Sequence, residues 1–144
     1  MHSPLLGPIV ALVAWTLIMQ IWMYATRLPA MRRKGISLKG RVGSKGGDLY
    51  GVLDSQVQWK AHNYNHLMEQ PTIFYAIVIA LILMGFDAHI NVYLAWAYVA
   101  FRVLHSLVQV TVNIVLYRFL LFILASLCLL GLTTHAAIFL IHHG

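Results

Sequence analysis

Charge is scarce in this sequence: Lys, Arg, Asp and Glu make up 10% of its 144 residues, while 60% are hydrophobic and the mean hydropathy is +0.77. A water-soluble domain carries roughly a quarter of its residues as charges, so a soluble globular fold is excluded and lipid is the alternative solvent. Cysteine is nearly absent as well. The one thiol, Cys128, can close no intrachain disulfide and sits in an apolar run, where it reads as a small packing residue. Acid is rarer than base, and Glu69 is the only glutamate. The opening Met1-His2-Ser3-Pro4 has no Lys or Arg, and the apolar run behind it exceeds the roughly 7–15 residues of a signal-peptide core. That run reads as a retained helix. Neither an internal repeat nor a low-complexity tract divides the chain, so residues 1–144 are expected to form one domain.

What is present is four apolar stretches: Leu5 to Tyr24, Pro71 to Phe86, Ile90 to Val112 and Leu116 to Ile141. Each approaches the roughly 20 residues that a spanning helix needs. With their flanks they predict helices over about 5–28, 55–85, 90–114 and 116–141, an all-α integral membrane four-helix bundle. The first helix is expected to stop at Arg27-Leu28, because Pro29 disfavours helix in the residue before it. Ser55 followed by Gln58 reads as an S-x-x-Q capping box that opens the second. That second helix would be about 45 Å long against a hydrocarbon core of about 30 Å, so its first turns should project from the bilayer, and Pro71 should bend it.

Base is unevenly placed. Arg27, Arg32, Arg33, Lys34, Lys39, Arg41, Lys45 and Lys60 flank or occupy a glycine-rich first loop, whereas both tails and the Gly85-Phe86-Asp87-Ala88-His89 turn have no Lys or Arg. The positive-inside rule then puts the 28–54 loop in the cytoplasm and both termini on the other side of a multi-pass protein. Arg118 falls on the loop's side. The net charge of +6 is thus a topogenic bias with some attraction to anionic lipid headgroups. No aromatic residue interleaves Arg32-Arg33-Lys34, and no nucleic-acid partner is expected.

Polar residues form stripes. His62, Asn65, His66 and Glu69 share one face of the second helix, and Arg102, His105, Gln109 and Asn113 share one face of the third. Thr16, Gln20, Tyr24 and Arg27 make a weaker stripe on the first. Such groups are expensive against lipid, so they should converge on one another or on a subunit interface. The rise per residue sets Glu69, Arg102 and His105 at similar depth in the cytoplasmic half, and a Glu69–Arg102 ion pair is expected. A pair that only fixes helix packing would look the same in sequence. His62 and His66, at i and i+4, could ligate a metal, but no Cys or second carboxylate completes a set, and no metal is expected. His135, His142 and His143 read as interfacial residues, and Trp15, Trp22, Tyr93 and Trp96 as packing and interfacial anchors.

The order of these residues resembles the MAPEG family, membrane-associated proteins in eicosanoid and glutathione metabolism, in its bacterial-type form. One segment that carries the resemblance is His62-Asn63-Tyr64-Asn65-His66-Leu67-Met68-Glu69-Gln70-Pro71, similar to the family's R-x-x-x-N-x-x-E pattern. The other is Phe101-Arg102-Val103-Leu104-His105 through Asn113 to Arg118-Phe119. Arg27 matches a basic residue at the end of the first helix. The resemblance covers nearly the whole chain. It implies a homotrimer with a glutathione site between neighbouring subunits near the cytoplasmic leaflet. It also implies Arg118 as the catalytic residue that stabilises the glutathione thiolate. Glu69 would hold the tripeptide's amino end, and Arg27, His62, His66, Arg102, His105 and Asn113 complete the expected binding set. His62 stands where many members have arginine and His66 where they have asparagine. Phe119 and Phe122 replace hydroxyl residues that some members carry beside the arginine.

The charges agree with such a ligand. Glutathione has two carboxylates and one ammonium group, and arginines pair with carboxylates bidentately while Glu69 answers the ammonium. The implied activity is a glutathione-dependent transferase or peroxidase, with glutathione as co-substrate and a lipophilic electrophile or hydroperoxide entering from the bilayer. Two other readings stand beside it. One is a non-catalytic relative that binds glutathione or a lipid-like ligand, consistent with Phe119 and Phe122. The other is a small proton-coupled transporter built around one membrane glutamate, which needs neither the basic loop nor an arginine partner.

Overall fold

The apolar runs form four helices, α1 (Leu6–Arg33), α2 (Ser55–Leu83), α3 (His89–Val110) and α4 (Val115–His143), in a computed structural model that describes residues 2–36, 43, 49 and 51–144. Lys39, Arg41 and Lys45 of the basic loop, with Gly40, Gly46 and Gly47, lie outside the described residues. Among those described there is no strand. α1, α2 and α4 are long and apolar enough to cross a membrane. α3 is not among them because it carries the bundle's interior polarity: Asn91, Arg102, His105, Ser106 and Gln109 are all buried. Its 22 residues still make a helix about 33 Å long, the thickness of a hydrocarbon core.

The boundaries depart from expectation where tertiary contacts override local signals. α1 does not stop at Leu28 but continues through Pro29 to Arg33. The proline forfeits one backbone hydrogen bond, to the carbonyl of Ala25. In return Ala30 and Met31 are buried in a small apolar cluster with Leu49 and Leu53, and Arg32 and Arg33 favour the helix's negative end. α2 opens at Ser55, but its N-cap is Asp54, no side chain caps it, and Gln58 is buried inside the fold. The Ser55–Gln58 capping box therefore does not form. α3 ends at Val110, and Asn113 takes a left-handed backbone, φ 51°, which asparagine tolerates better than most residues. It turns the chain into α4.

The core runs the length of the bundle. Leu12 and Met19 of α1, Leu67, Phe74, Val78 and Leu81 of α2, Ala95 and Tyr98 of α3, and Ala125, Leu129 and Leu132 of α4 belong to one buried cluster. Phe74 and Tyr98 stack with centroids 4.3 Å apart. α3 and α4 share the largest helix interface, and the outward faces stay apolar, as with Val10, Leu17 and Ile21 on α1 and Leu127, Leu130 and Ile141 on α4. These faces suit lipid. In the helix-one stripe the Thr16 hydroxyl donates to the Leu12 carbonyl at 2.9 Å and also meets the Tyr75 hydroxyl of α2, while Tyr24 is exposed.

At the end holding both termini, α3 is tied to α4 by polar contacts in an apolar setting. Asn91 is fully buried; its Oδ1 lies 2.7 Å from His135 Nδ1, and its Nδ2 donates to the Phe86 carbonyl at 3.2 Å. His135 is therefore a structural partner as well as a residue near the membrane surface. His135→Ala should leave the Asn91 carbonyl oxygen unpaired and cost about 1–3 kcal/mol. Thermal unfolding in detergent should show it, and an unchanged melting temperature would mean that the contact contributes nothing.

Candidate functional site

At the opposite end, where the first loop meets the α3–α4 turn, the polar stripes of α2 and α3 meet. Arg102 is 0% exposed, and its Nη2 donates to the main-chain carbonyl of His66 at 3.2 Å. Its Nε and Nη1 have no hydrogen-bond partner among the described residues, while its Cζ lies 6.0 Å from the Phe122 ring centroid, at the outer limit of a cation–π contact. The expected Glu69–Arg102 ion pair is not formed among the described residues. The Glu69 carboxylate is instead 4.0 Å from His66 Nδ1, with 70% of its side chain exposed on the subunit surface. The His66 and Glu69 side chains share the outer edge of one α2 face, and Arg102 reaches the main-chain oxygen of His66 behind them instead of the carboxylate.

His66 and His105 approach with ring centroids 5.7 Å apart, and His105 faces Phe122 at 6.4 Å. His105 is 3% exposed and its Nδ1 has no partner. Two cavities open here. A small, mostly apolar one of about 230 Å³ is lined by His66, His105, Val115, Arg118, Phe119 and Phe122. A larger polar one of about 640 Å³ lies between the start of α2 and the start of α4, among Asp54, Ser55, Gln58, Trp59, His62, Asn113 and Arg118. Arg118 lines both. The site thus has a polar compartment, an apolar compartment and one guanidinium at their junction.

Residues 5–138 match the MAPEG family. The chain is a member of the MAPEG family. No curated protein and no solved structure gives a significant individual match. Membership agrees with four helices and an apolar exterior, and it makes a membrane role connected with glutathione the general assignment.

Within this MAPEG protein the expected residues divide unevenly. His66, His105 and Arg118 meet at the apolar cavity, and His62, Asn113 and Arg118 at the polar one. Arg102 lies buried beside them. Glu69 borders the group but faces outward, and Arg27, half-buried on α1, lines neither cavity. The sequence reading overlooked Asp54, Ser55 and Trp59 on the polar wall. Ser55, Trp59, His62 and His66 follow helical spacing, so extending the stripe back two turns would have found two of them. It also overlooked a chain in which Tyr98 Oη donates to Gln70 Oε1 at 3.1 Å and Gln70 Nε2 donates to Ser126 Oγ at 2.9 Å. Asn63 and Ser106, both 0% exposed, retain side-chain atoms without partners.

A buried guanidinium with one neutral main-chain partner costs stability rather than adding it. Arg102→Met, which keeps length and removes the charge, should leave the ligand-free melting temperature in detergent unchanged or raise it. A fall of more than about 5 °C, on the order of 1–2 kcal/mol, would make Arg102 a stabilising part of the fold.

Proposed function

We propose that this MAPEG protein is a glutathione-dependent transferase or peroxidase whose thiolate forms at Arg118, between a polar cavity and an apolar one. The observation that carries the reading is that a single guanidinium borders both compartments. A peptide with carboxylates and an ammonium suits the polar wall of Asp54, Ser55, His62, Asn113 and Arg118. A lipophilic electrophile or hydroperoxide suits Val115, Phe119 and Phe122. Arg118 stands in the first turn of α4, so the helix's positive end adds to its attraction for a thiolate.

Glutathione is bound between neighbouring copies of the chain in this reading. Glu69 supports it, because a carboxylate 70% exposed on the side of a membrane helix needs a covering partner. In a homotrimer the next subunit covers it, and Glu69 meets the glutathione ammonium. Arg27 and Arg102 supply further positive charge for the carboxylates. Phe119 and Phe122 favour a second reading, a non-catalytic subunit that binds the same ligand, since neither offers a hydroxyl to the sulfur.

Calorimetric titration of the detergent-purified protein with glutathione tests binding, and thiolate absorbance with a conjugation assay tests chemistry. Arg118→Ala should retain measurable binding, lose the thiolate signal at neutral pH and lower the conjugation rate by about 100-fold or more. Glu69→Gln should weaken binding by about 10–100-fold, the loss of a charge-assisted contact. If the parent binds glutathione only as the thiol, the non-catalytic reading replaces the transferase. If both variants lose binding and thiolate signal equally, the division of roles is wrong.

The loop end carries Arg32, Arg33, Lys34 and Arg118, and the other end has none of these charges, which supports a cytoplasmic loop and non-cytoplasmic termini. In a Cys128→Ser background, a membrane-impermeant thiol reagent added from the cytoplasmic side should label Lys34→Cys but not His143→Cys. The reverse pattern would overturn the orientation.

A further inference from the structure

Arg118 can stabilise a thiolate, but an arginine cannot take the proton that the thiol must lose, because its guanidinium is always protonated. Phe119 and Phe122 cannot relay it either. Two imidazoles line the apolar cavity with Arg118, His66 and His105, and their surroundings differ. His105 is 3% exposed, lies next to the buried Arg102 and has no carboxylate within ion-pair range among the described residues. A proton placed there would have no counter-charge within ion-pair range among the described residues. His66 has 40% of its side chain exposed, and its Nδ1 is 4.0 Å from a Glu69 carboxylate oxygen. That leaves Nε2 as its other ring nitrogen.

We propose that His66 is the proton acceptor of the site: its neutral Nε2 takes the proton from the glutathione thiol while Glu69 offsets the imidazolium charge. The S–H bond breaks, the electron pair stays on sulfur beside the Arg118 guanidinium, and the proton resides on His66. Nothing is oxidised or reduced in this step, and no co-reactant beyond the thiol is needed. An acceptor, with a carboxylate on its far nitrogen, is the arrangement by which imidazoles activate hydroxyl and thiol nucleophiles. The charged and titratable groups around it are His62 and Glu69 from α2, Arg102 and His105 from α3, and Arg118 from α4. Glu69 is the one negative charge in that set, so it decides where a proton can rest. Arg102 bonds to the main-chain oxygen of residue 66, so a side-chain substitution there leaves that anchor intact.

The inference rests on glutathione being bound as proposed above, and the test separates the two. Glutathione is titrated into the full-length protein in detergent, and the thiolate absorbance of the bound form is followed against pH for the parent, His66→Asn and His66→Gln. Calorimetry in buffers of different ionisation heat counts the protons released on binding. A free cysteine-type thiol ionises near about 8.5. The parent should show thiolate at pH 7 while releasing much less than one proton, because His66 keeps it. Both variants should bind glutathione but need a pH higher by about one unit or more for the same thiolate fraction, at least a tenfold loss at pH 7. Coincident thiolate–pH curves for parent and variants overturn the proposal, even if affinity falls, because a purely structural histidine would move affinity alone. A curve displaced by His105→Gln and not by either His66 variant also overturns it. A parent that binds no glutathione, or shows no thiolate with glutathione bound, defeats the transferase reading itself, and this proposal with it, before any variant is compared.

Discussion

The arrangement at the loop end depends on holding one guanidinium, that of Arg102, inside a helix bundle that faces lipid. A charge there is costly unless donors, acceptors or counter-charge surround it. The structure meets that demand only in part, with the main-chain carbonyl of His66 and the face of Phe122 at 6.0 Å, and leaves Nε and Nη1 without partners among the described residues. The carbonyl contact sets the height at which α2 and α3 lie beside each other. That height brings the His66 and His105 rings within 5.7 Å and turns Glu69 outward. Both cavities follow from this register, because α4 enters immediately below it with Arg118.

Polarity is distributed among the helices according to that constraint. α3 takes it into the interior, and α1 and α4 keep apolar outer faces, so the bundle offers lipid a largely uniform surface. Glu69 adds an exposed charge to that surface. At the far end the same logic operates in neutral form, where Asn91 is held by His135 and by the Phe86 carbonyl. A buried amide with both ends engaged fixes helix register at little electrostatic cost. The two ends therefore differ in kind: one is satisfied within the subunit, and the other keeps buried polar atoms of Arg102, His105, Asn63 and Ser106 without partners.

Much of this was legible in the chain. Composition identified lipid as the solvent, hydropathy located four helices, and the i, i+3, i+4 spacing on α2 and α3 picked out His62, His66, Arg102 and His105, while Arg118 came from the family resemblance. What was not legible depends on tertiary geometry. Pro29 signals a helix end locally, yet burial of Ala30 and Met31 against Leu49 and Leu53 carries α1 onward. A stripe shows which residues share a face, but its rotation is fixed by packing, and a modest rotation separates Glu69 from Arg102. Asn63 and Ser106 lie off the stripes and so attracted no attention, although both are fully buried. The capping pattern at Ser55 and Gln58 failed because Gln58 belongs to the interior.

Arg118 shows how far an unfavourable local choice can point toward chemistry. It is the fourth residue of α4, whose first turn contains no acidic residue. A cation in that position opposes the helix dipole, at a cost of a few tenths to about 1 kcal/mol. Among the described residues its Nε is buried without a hydrogen-bond partner, and the one acid that lines a cavity with it is Asp54. An anion placed at the junction of the two cavities reverses every part of that balance at once, because the guanidinium and the helix terminus then act in the same direction. With the walls beside it apolar, the dielectric screening is weak and the attraction is correspondingly strong. In the function proposed for this protein that negative charge arrives with the ligand, as a thiolate carried on a peptide whose own carboxylates suit the polar half of the site.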